Sequence, residues 1–265
     1  IGTVDQIIYR LKDAGVAGVA AKLHNGWSSV GYDTLEMVEF RRKCRDNGIV
    51  FGGWGYIYLK YNATAEARKA QEMVAKYQPD FYLIDAEAEA KNQHAAARVF
   101  MQGIEGMPTQ IGLASYRYPF LHPELPWAIL REGTHFDAPQ VYYRNGDPVH
   151  NLTRSKDEFA QLYPRLPYFP AGDMYFEHGV KPTTDAVYRF LRACREDPEI
   201  KGCLMWSMDQ SSVCPELWEA FRCFEWDAEQ PPTLTDQVIT FVDQYISDRL
   251  NHADFRDGLR RILGE

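Results

Sequence analysis

Cysteine is scarce and unpatterned: the chain has five, Cys44, Cys194, Cys203, Cys214 and Cys223, an odd number without metal-ligand spacing. They read as free, mostly buried thiols rather than a disulfide framework. The seven histidines are scattered, with no HxH, HExxH or three-ligand cluster, so neither a catalytic metal nor any cofactor is expected. Clusters of Lys and Arg are missing as well. With a net charge of −8, the chain lacks the basic footprint that a phosphate backbone requires, which argues against a nucleic-acid partner. No apolar run is long enough to span a bilayer and no secretory h-region is present. A site of action outside the cell or at the cell wall would need a leader upstream of Ile1, and the localisation stays open. No GxGxxG follows an early strand, and no serine nucleophile elbow appears.

Aromatic residues are what the chain has in quantity. Sixteen Tyr, fourteen Phe and six Trp make up 14% of the residues, many at the ends of strand-like segments. Flat apolar faces with polar tips suit the stacking of sugar rings, and equally a packed core. A length of 265 residues with 45% apolar content fits a single α/β barrel without requiring a second domain.

Short β-rich runs alternate with amphipathic helices. A helix over 4–14 precedes VAGVAAKL (16–23), and a helix over 33–47 ends at the C-cap signal Asn47-Gly48. IVFGGWGYIY (49–58), a helix over 64–77, FYLIDAE (81–87), a helix over 92–105 and TQIGLASY (109–116) follow. Next come a short helix over 126–132, APQVYY (138–143), a helix over 153–163 and YFPAGDMYF (168–176). A helix over 183–196, GCLMWSM (202–208) and a helix over 215–223 complete the series. Seven strands, each followed by a helix, imply right-handed parallel βαβ units. Aromatic and charged residues gather at the C-terminal ends of many strands, where a (β/α)8 TIM barrel builds its site. The predicted fold is therefore a TIM barrel over 1–226 with strands two to eight visible. The first strand is expected upstream of Ile1 or replaced, with a seam beside 16–23 and 202–208. Residues 227–265 read as a linker, AEQPPT, and two helices over 235–250 and 254–263. Those helices either cap the barrel bottom or pack on a protein partner or second copy.

The segment DFYLIDAEAE (80–89) is the one that points to chemistry. An apolar strand runs into acids at alternate positions. Because alternate strand residues share a face, Asp85 and Glu87 project into the barrel mouth with Cα atoms roughly 6.5–7 Å apart. Two carboxylates so close lift one pKa, which keeps a proton available near neutrality. Glu89, Lys91 and Asn92 read as the solvated start of the next helix.

DFYLIDAE resembles the DxxDxDxE signature of family 18 glycoside hydrolases, the chitinase-like TIM barrels. Asp80, Asp85 and Glu87 fit its first, third and last positions, and Leu83 stands where the second Asp belongs. FGGW (51–54) resembles that family's SxGG with Val50 in place of the serine. PQVYY (139–143) resembles its Gln-x-Tyr at Gln140 and Tyr142, and GCLMWSMD (202–209) resembles the strand-eight segment that supplies a sugar-floor tryptophan, here Trp206. A second resemblance is to family 25 muramidases, which carry a DxE pair and cleave peptidoglycan. IGLASYRYPFLHPELPW (111–127) and WGYIY belong to neither signature.

The resemblance implies roles. Glu87 protonates the glycosidic oxygen while the substrate's own acetamide attacks, an exception to the two-carboxylate scheme. Asp85 orients that acetamide, Tyr142 binds its carbonyl oxygen, and Trp206 with Trp54 or Tyr56 stacks on sugar faces. Tyr116 and Arg117 are further cleft candidates, and Asp209 is either a second acid or a helix cap. Lys22, His24 and Asn25 end their strand and are placed to line the cleft. The implied substrate is an N-acetylhexosamine polysaccharide or oligosaccharide, chitin-like or peptidoglycan. Leu83 supports the competing reading of a non-catalytic carbohydrate-binding or structural barrel.

Overall fold

The structure is a computed structural model that describes residues 2–30, 34–144, 146–177 and 179–226. The linker and helices expected after residue 226 lie outside the described residues. Helix α1 (Val4–Asp13) begins at a capping box, in which Thr3 and Gln6 satisfy each other's backbone N–H groups. Then follow β1 (Gly18–Asn25), a short β2 (Ser28–Ser29), α2 (Thr34–Asp46), β3 (Val50–Ile57), α3 (Ala63–Tyr77) and β4 (Phe81–Ala86). The second half contains α4 (His94–Ile104), β5 (Gln110–Ala114), α5 (Trp127–Glu132), β6 (Phe136–Asp137), α6 (Pro148–Phe159), β7 (Ala171–Asp173), α7 (Thr184–Glu196), β8 (Leu204–Trp206) and α8 (Pro215–Arg222). The turn after α2 uses Gly48 at φ +71°, the left-handed position that the Asn-Gly signal anticipates.

The barrel wall runs in chain order. β1, β3, β4, β5 and β6 pair in parallel, and β2 folds back antiparallel on β1. β7 and β8 form a second parallel pair, tied to the first sheet by bridges from Asp137 to Tyr168 and from Gln140 to Ala171. Among the described residues no strand pairing joins β8 to β1.

Two elements begin elsewhere than the sequence suggests. Regular pairing in β6 covers Phe136–Asp137 rather than 138–143. Alternate donors of this segment face alternate neighbours: Ala138 and Gln140 donate to β5 and the residue beyond it, whereas Asp137 donates to Pro167. The next donor toward β7 would be residue 139, and proline has no N–H. Helix α6 starts at Pro148 rather than 153 because the Asp147 side chain accepts from His150 N, with proline at the first turn.

The lower interior is filled by rings. Phe81 meets Phe136 at 6.2 Å between centroids, and Phe136 meets Phe169 at 5.5 Å. Neighbouring strands make room for them with glycine. A Cβ on Gly52 would stand 2.1 Å from the Phe81 ring, and one on Gly112 2.3 Å from the Phe136 ring. Gly52→Ala should therefore destabilise the fold by about 1–3 kcal/mol through overpacking. Urea denaturation checks this, with Gly52→Ala/Phe81→Leu recovering most of the loss. An unshifted midpoint in the single variant would show that the ring is free to move aside.

Candidate active site

Register sets the height of each interior side chain. Trp54 pairs with Leu83 and Tyr56 with Asp85, so Leu83 lies one layer below the acid. Leu83 is buried where the signature's second Asp would stand. Asp80, the first signature residue, lies at the opposite end of β4. Its carboxylate accepts from Phe51 N at 2.9 Å and Arg45 Nη2 at 3.0 Å, so it ties β3 and α2 to the barrel bottom.

At the mouth the Gln140 amide donates to Asp85 Oδ1 at 3.0 Å and to Glu87 Oε1 at 2.9 Å. One side chain from β6's extension thus clamps both carboxyls of β4. Asp85 and Glu87 face each other across one shared donor. Burial first, then the Glu87 charge, lifts Asp85 well above the ordinary carboxylate range, while Lys22 and the Gln140 amide pull it back. Asp85 therefore retains its proton at a pH where an isolated aspartate has lost it.

The surrounding residues are aromatic. Trp54 and Trp206 meet edge to face at 5.2 Å, and the Lys22 ammonium lies 4.5 Å above the Trp54 ring. Tyr142 packs on Tyr175 at 5.6 Å. Burial, and next the Asp85 charge, hold its hydroxyl protonated. Tyr56 donates its hydroxyl to Glu89. Tyr116 stacks on His122 at 3.7 Å, and after burial the charge of Glu87 raises its pKa most.

The structure thus brings Asp85, Glu87 and Gln140 into one hydrogen-bonded group, with Tyr142, Tyr116 and Tyr56 near enough to feel its charge and the Trp54–Trp206 pair on β3 and β8. Arg117 instead donates to the Tyr142 carbonyl and lies over the Tyr118 ring at 4.9 Å. Asp209 is exposed and accepts from Ser207. Among the described residues no hydrogen bond joins either to the acid pair. His24 is not a cleft residue. It is fully buried, its Nε2 2.6 Å from the Tyr82 hydroxyl and its Nδ1 2.8 Å from Gly26 O, and burial pushes its pKa down to about 4. Asn25 donates to the Tyr58 hydroxyl.

Glu89 and Lys91 do more than start a helix. Glu89 holds Tyr56, and Lys91 Nζ lies 2.9 Å from His122 Nδ1 and 5.0 Å above the Tyr116 ring. Asp173 escaped the sequence reading altogether. It is buried at the end of β7 and accepts from Tyr143 N and Arg144 N at 2.8 and 3.2 Å. Its signal was the same as that of Asp85, an acid closing an apolar strand.

No family model and no curated protein matches the sequence. Solved structures do. The catalytic domain of a mannanase from Streptomyces sp. SirexAA-E aligns with TM-score 0.55 and 13% identity over 78% of this chain and 71% of its own. A GH18 chitinase from Pseudoalteromonas aurantia aligns with TM-score 0.57 and 13% identity over 79% and 92%. The spore cortex-lytic enzyme SleL of Bacillus megaterium QM B1551 gives 0.59 and 8% over 85% and 71%. The fold is a TIM barrel like those of these enzymes. At these identities the likeness fixes the architecture and leaves the chemistry to the side chains. Among the described residues no group of His, Cys, Asp and Glu could hold a metal ion, and no helix is long and apolar enough to cross a membrane.

Proposed function

We propose that the chain is a glycoside hydrolase acting on a polysaccharide that contains N-acetylhexosamine. The observation that carries this reading is the Gln140 amide bridging two carboxyls, Asp85 and Glu87, at the C-terminal end of β4. Glu87, half-buried at the rim, is the general acid that protonates the departing oxygen. Asp85, deeper and more strongly desolvated, orients the substrate acetamide and stabilises the positive charge that develops on it as it attacks. Gln140 positions both acids, and the Tyr142 hydroxyl, held protonated, donates to the acetamide oxygen. Trp206 and Trp54 supply the sugar floor. Tyr56 and Tyr116 flank the pair.

The chitinase and the cortex-lytic enzyme among the similar structures support two candidate substrates, chitin-like chains and peptidoglycan. Hydrolysis of a chromogenic chito-oligosaccharide and of purified peptidoglycan, run side by side, tests the reading and separates them. One observation favours a second reading, a carbohydrate-binding barrel without turnover: the buried Leu83 removes a carboxyl that the signature places beneath Asp85. Binding of both substrates with hydrolysis of neither would select it.

Trp206→Ala should weaken oligosaccharide binding by about 1–3 kcal/mol, in line with burial of a large apolar face. Calorimetric titration measures it, and unchanged affinity in a folded variant would make Trp206 a packing residue only.

A further inference from the structure

The proposed roles set a condition that the two carboxyls do not meet by themselves. Asp85 must carry negative charge to stabilise the attacking acetamide, while the proton to be given away must sit on Glu87. Burial acts the other way. It is the largest influence on Asp85 and favours its neutral form. The layer beneath gives no help, because Leu83 is buried and apolar. Another group has to draw negative charge onto Asp85.

Lys22 of β1 is placed to do so. β1 and β3 pair with Lys22 opposite Trp54, and β3 and β4 pair with Trp54 opposite Leu83 and Tyr56 opposite Asp85. Lys22 therefore stands one layer below the acid. Its ammonium lies 4.5 Å above the Trp54 ring, which itself meets Trp206 at 5.2 Å, so the charge is held inside the mouth. Lys22 is half-buried, and among the described residues no hydrogen bond or ion pair occupies its ammonium. Three unused donors on a half-buried charge are costly, unless the charge itself has a use.

That charge acts on Asp85 and opposes the effect of burial. The other groups coupled to Asp85 are Glu87, which pushes its pKa up, and four hydroxyls. These belong to Tyr56 on β3, Tyr82 on the far face of β4, Tyr116 after β5 and Tyr142 after β6. Burial lifts all four hydroxyls, so they stay neutral. His24, two residues along β1, is also uncharged near neutrality, with its pKa pushed down to about 4. Lys22 is the cation of the set.

We propose that Lys22 is a positioning residue of the site, whose ammonium holds negative charge on Asp85 and so leaves the transferable proton to Glu87. The proposal rests on the proposed function for the roles of the two carboxyls. No bond forms or breaks at Lys22, which acts through its charge alone.

The test is the pH profile of kcat and KM on a chromogenic chito-oligosaccharide. Lys22→Met keeps the stem and removes the charge, and Lys22→Arg keeps a cation over the Trp54 ring. Without the ammonium the Asp85 pKa rises, so the acid limb of kcat should move up by about one pH unit, as expected for loss of a nearby opposite charge. On that limb kcat should fall about tenfold with KM little changed, and Lys22→Arg should retain both limb and rate. Lys22→Gln, read in the same way, replaces the Met variant if that one does not fold. A folded Met or Gln variant with an unmoved acid limb overturns the proposal. So does a loss confined to KM, which would make Lys22 a sugar contact. The Asp85 carboxyl signal, followed by NMR over the same range, reads the coupling without turnover. A wild type that cleaves neither chito-oligosaccharide nor peptidoglycan fails as a hydrolase. In that case an upward shift of the carboxyl titration in Lys22→Met, absent in Lys22→Arg, still supports Lys22 as the charge partner of Asp85, and an unmoved titration overturns it.

Discussion

Glu87→Gln should lower hydrolysis of N-acetylhexosamine oligomers by about 10²–10⁴-fold, the usual worth of a positioned general acid, and leave binding nearly intact. The amide has the shape of the carboxyl and keeps an oxygen for the Gln140 donor now 2.9 Å from Glu87 Oε1. It has no proton to give to a leaving oxygen. The change also acts on Asp85. Burial is the largest cause of its raised pKa and the Glu87 charge the second, so without that charge Asp85 should titrate lower than in the wild type. Burial alone keeps it above an exposed aspartate. Rate and affinity measured on the same oligosaccharide, with the carboxyl titration followed by NMR, check both parts. A folded variant that retains the wild-type rate would remove Glu87 from the role of acid.

The mouth was legible because the signal is local. An apolar strand ending in alternate acids places both on one face whatever the rest of the chain does, and Gln140, Tyr142 and Trp206 sit at the ends of later strands in the same way. The barrel followed from alternation, and of the glycines of FGGW, Gly52 finds its reason in the Phe81 ring and Gly53 in the Leu23 side chain. What stayed hidden depends on long-range partners. Glu89 looked like a solvated helix start because nothing in its neighbourhood shows Tyr56, 33 residues away. His24 looked like a cleft residue because the bulge between Lys22 and His24 that shifts the register of β1 is invisible in sequence. Arg117 ends the expected strand, but the Tyr142 carbonyl claims its guanidinium. The same limit hid the contact of Trp27 with Tyr61, which stand far apart in the chain and meet because β1 and β3 are neighbours.

Stability beneath the site depends on another buried pair. Arg131 of α5 and Asp137 of β6 are each 1% exposed. Arg131 Nε donates to Asp137 Oδ1 at 2.9 Å and Nη2 donates to Oδ2 at 2.8 Å, a two-pronged contact. Asp137 lies three residues before Gln140, so the pair anchors the segment that delivers the clamp to the acids. Burial raises the Asp137 pKa, and Arg131 opposes that shift. Arg131→Met should cost about 3–5 kcal/mol, because it strands a charge inside the barrel wall. The loss should depend on pH in a defined direction. Without the guanidinium, Asp137 rises further above its unfolded value, so the folded state of the variant binds the extra proton and gains stability as pH falls. Stability should then decline as pH rises through the folded pKa, and the gap to the wild type should be widest near neutrality. Arg131→Met/Asp137→Leu removes both charges and should recover most of the loss, since an apolar pair can replace a buried ion pair at little cost. Urea unfolding of the three proteins across the acid range checks the cycle. A single variant as stable as the wild type at neutral pH would mean that Asp137 finds another donor or water, and the anchor would then lie elsewhere in the β6 segment.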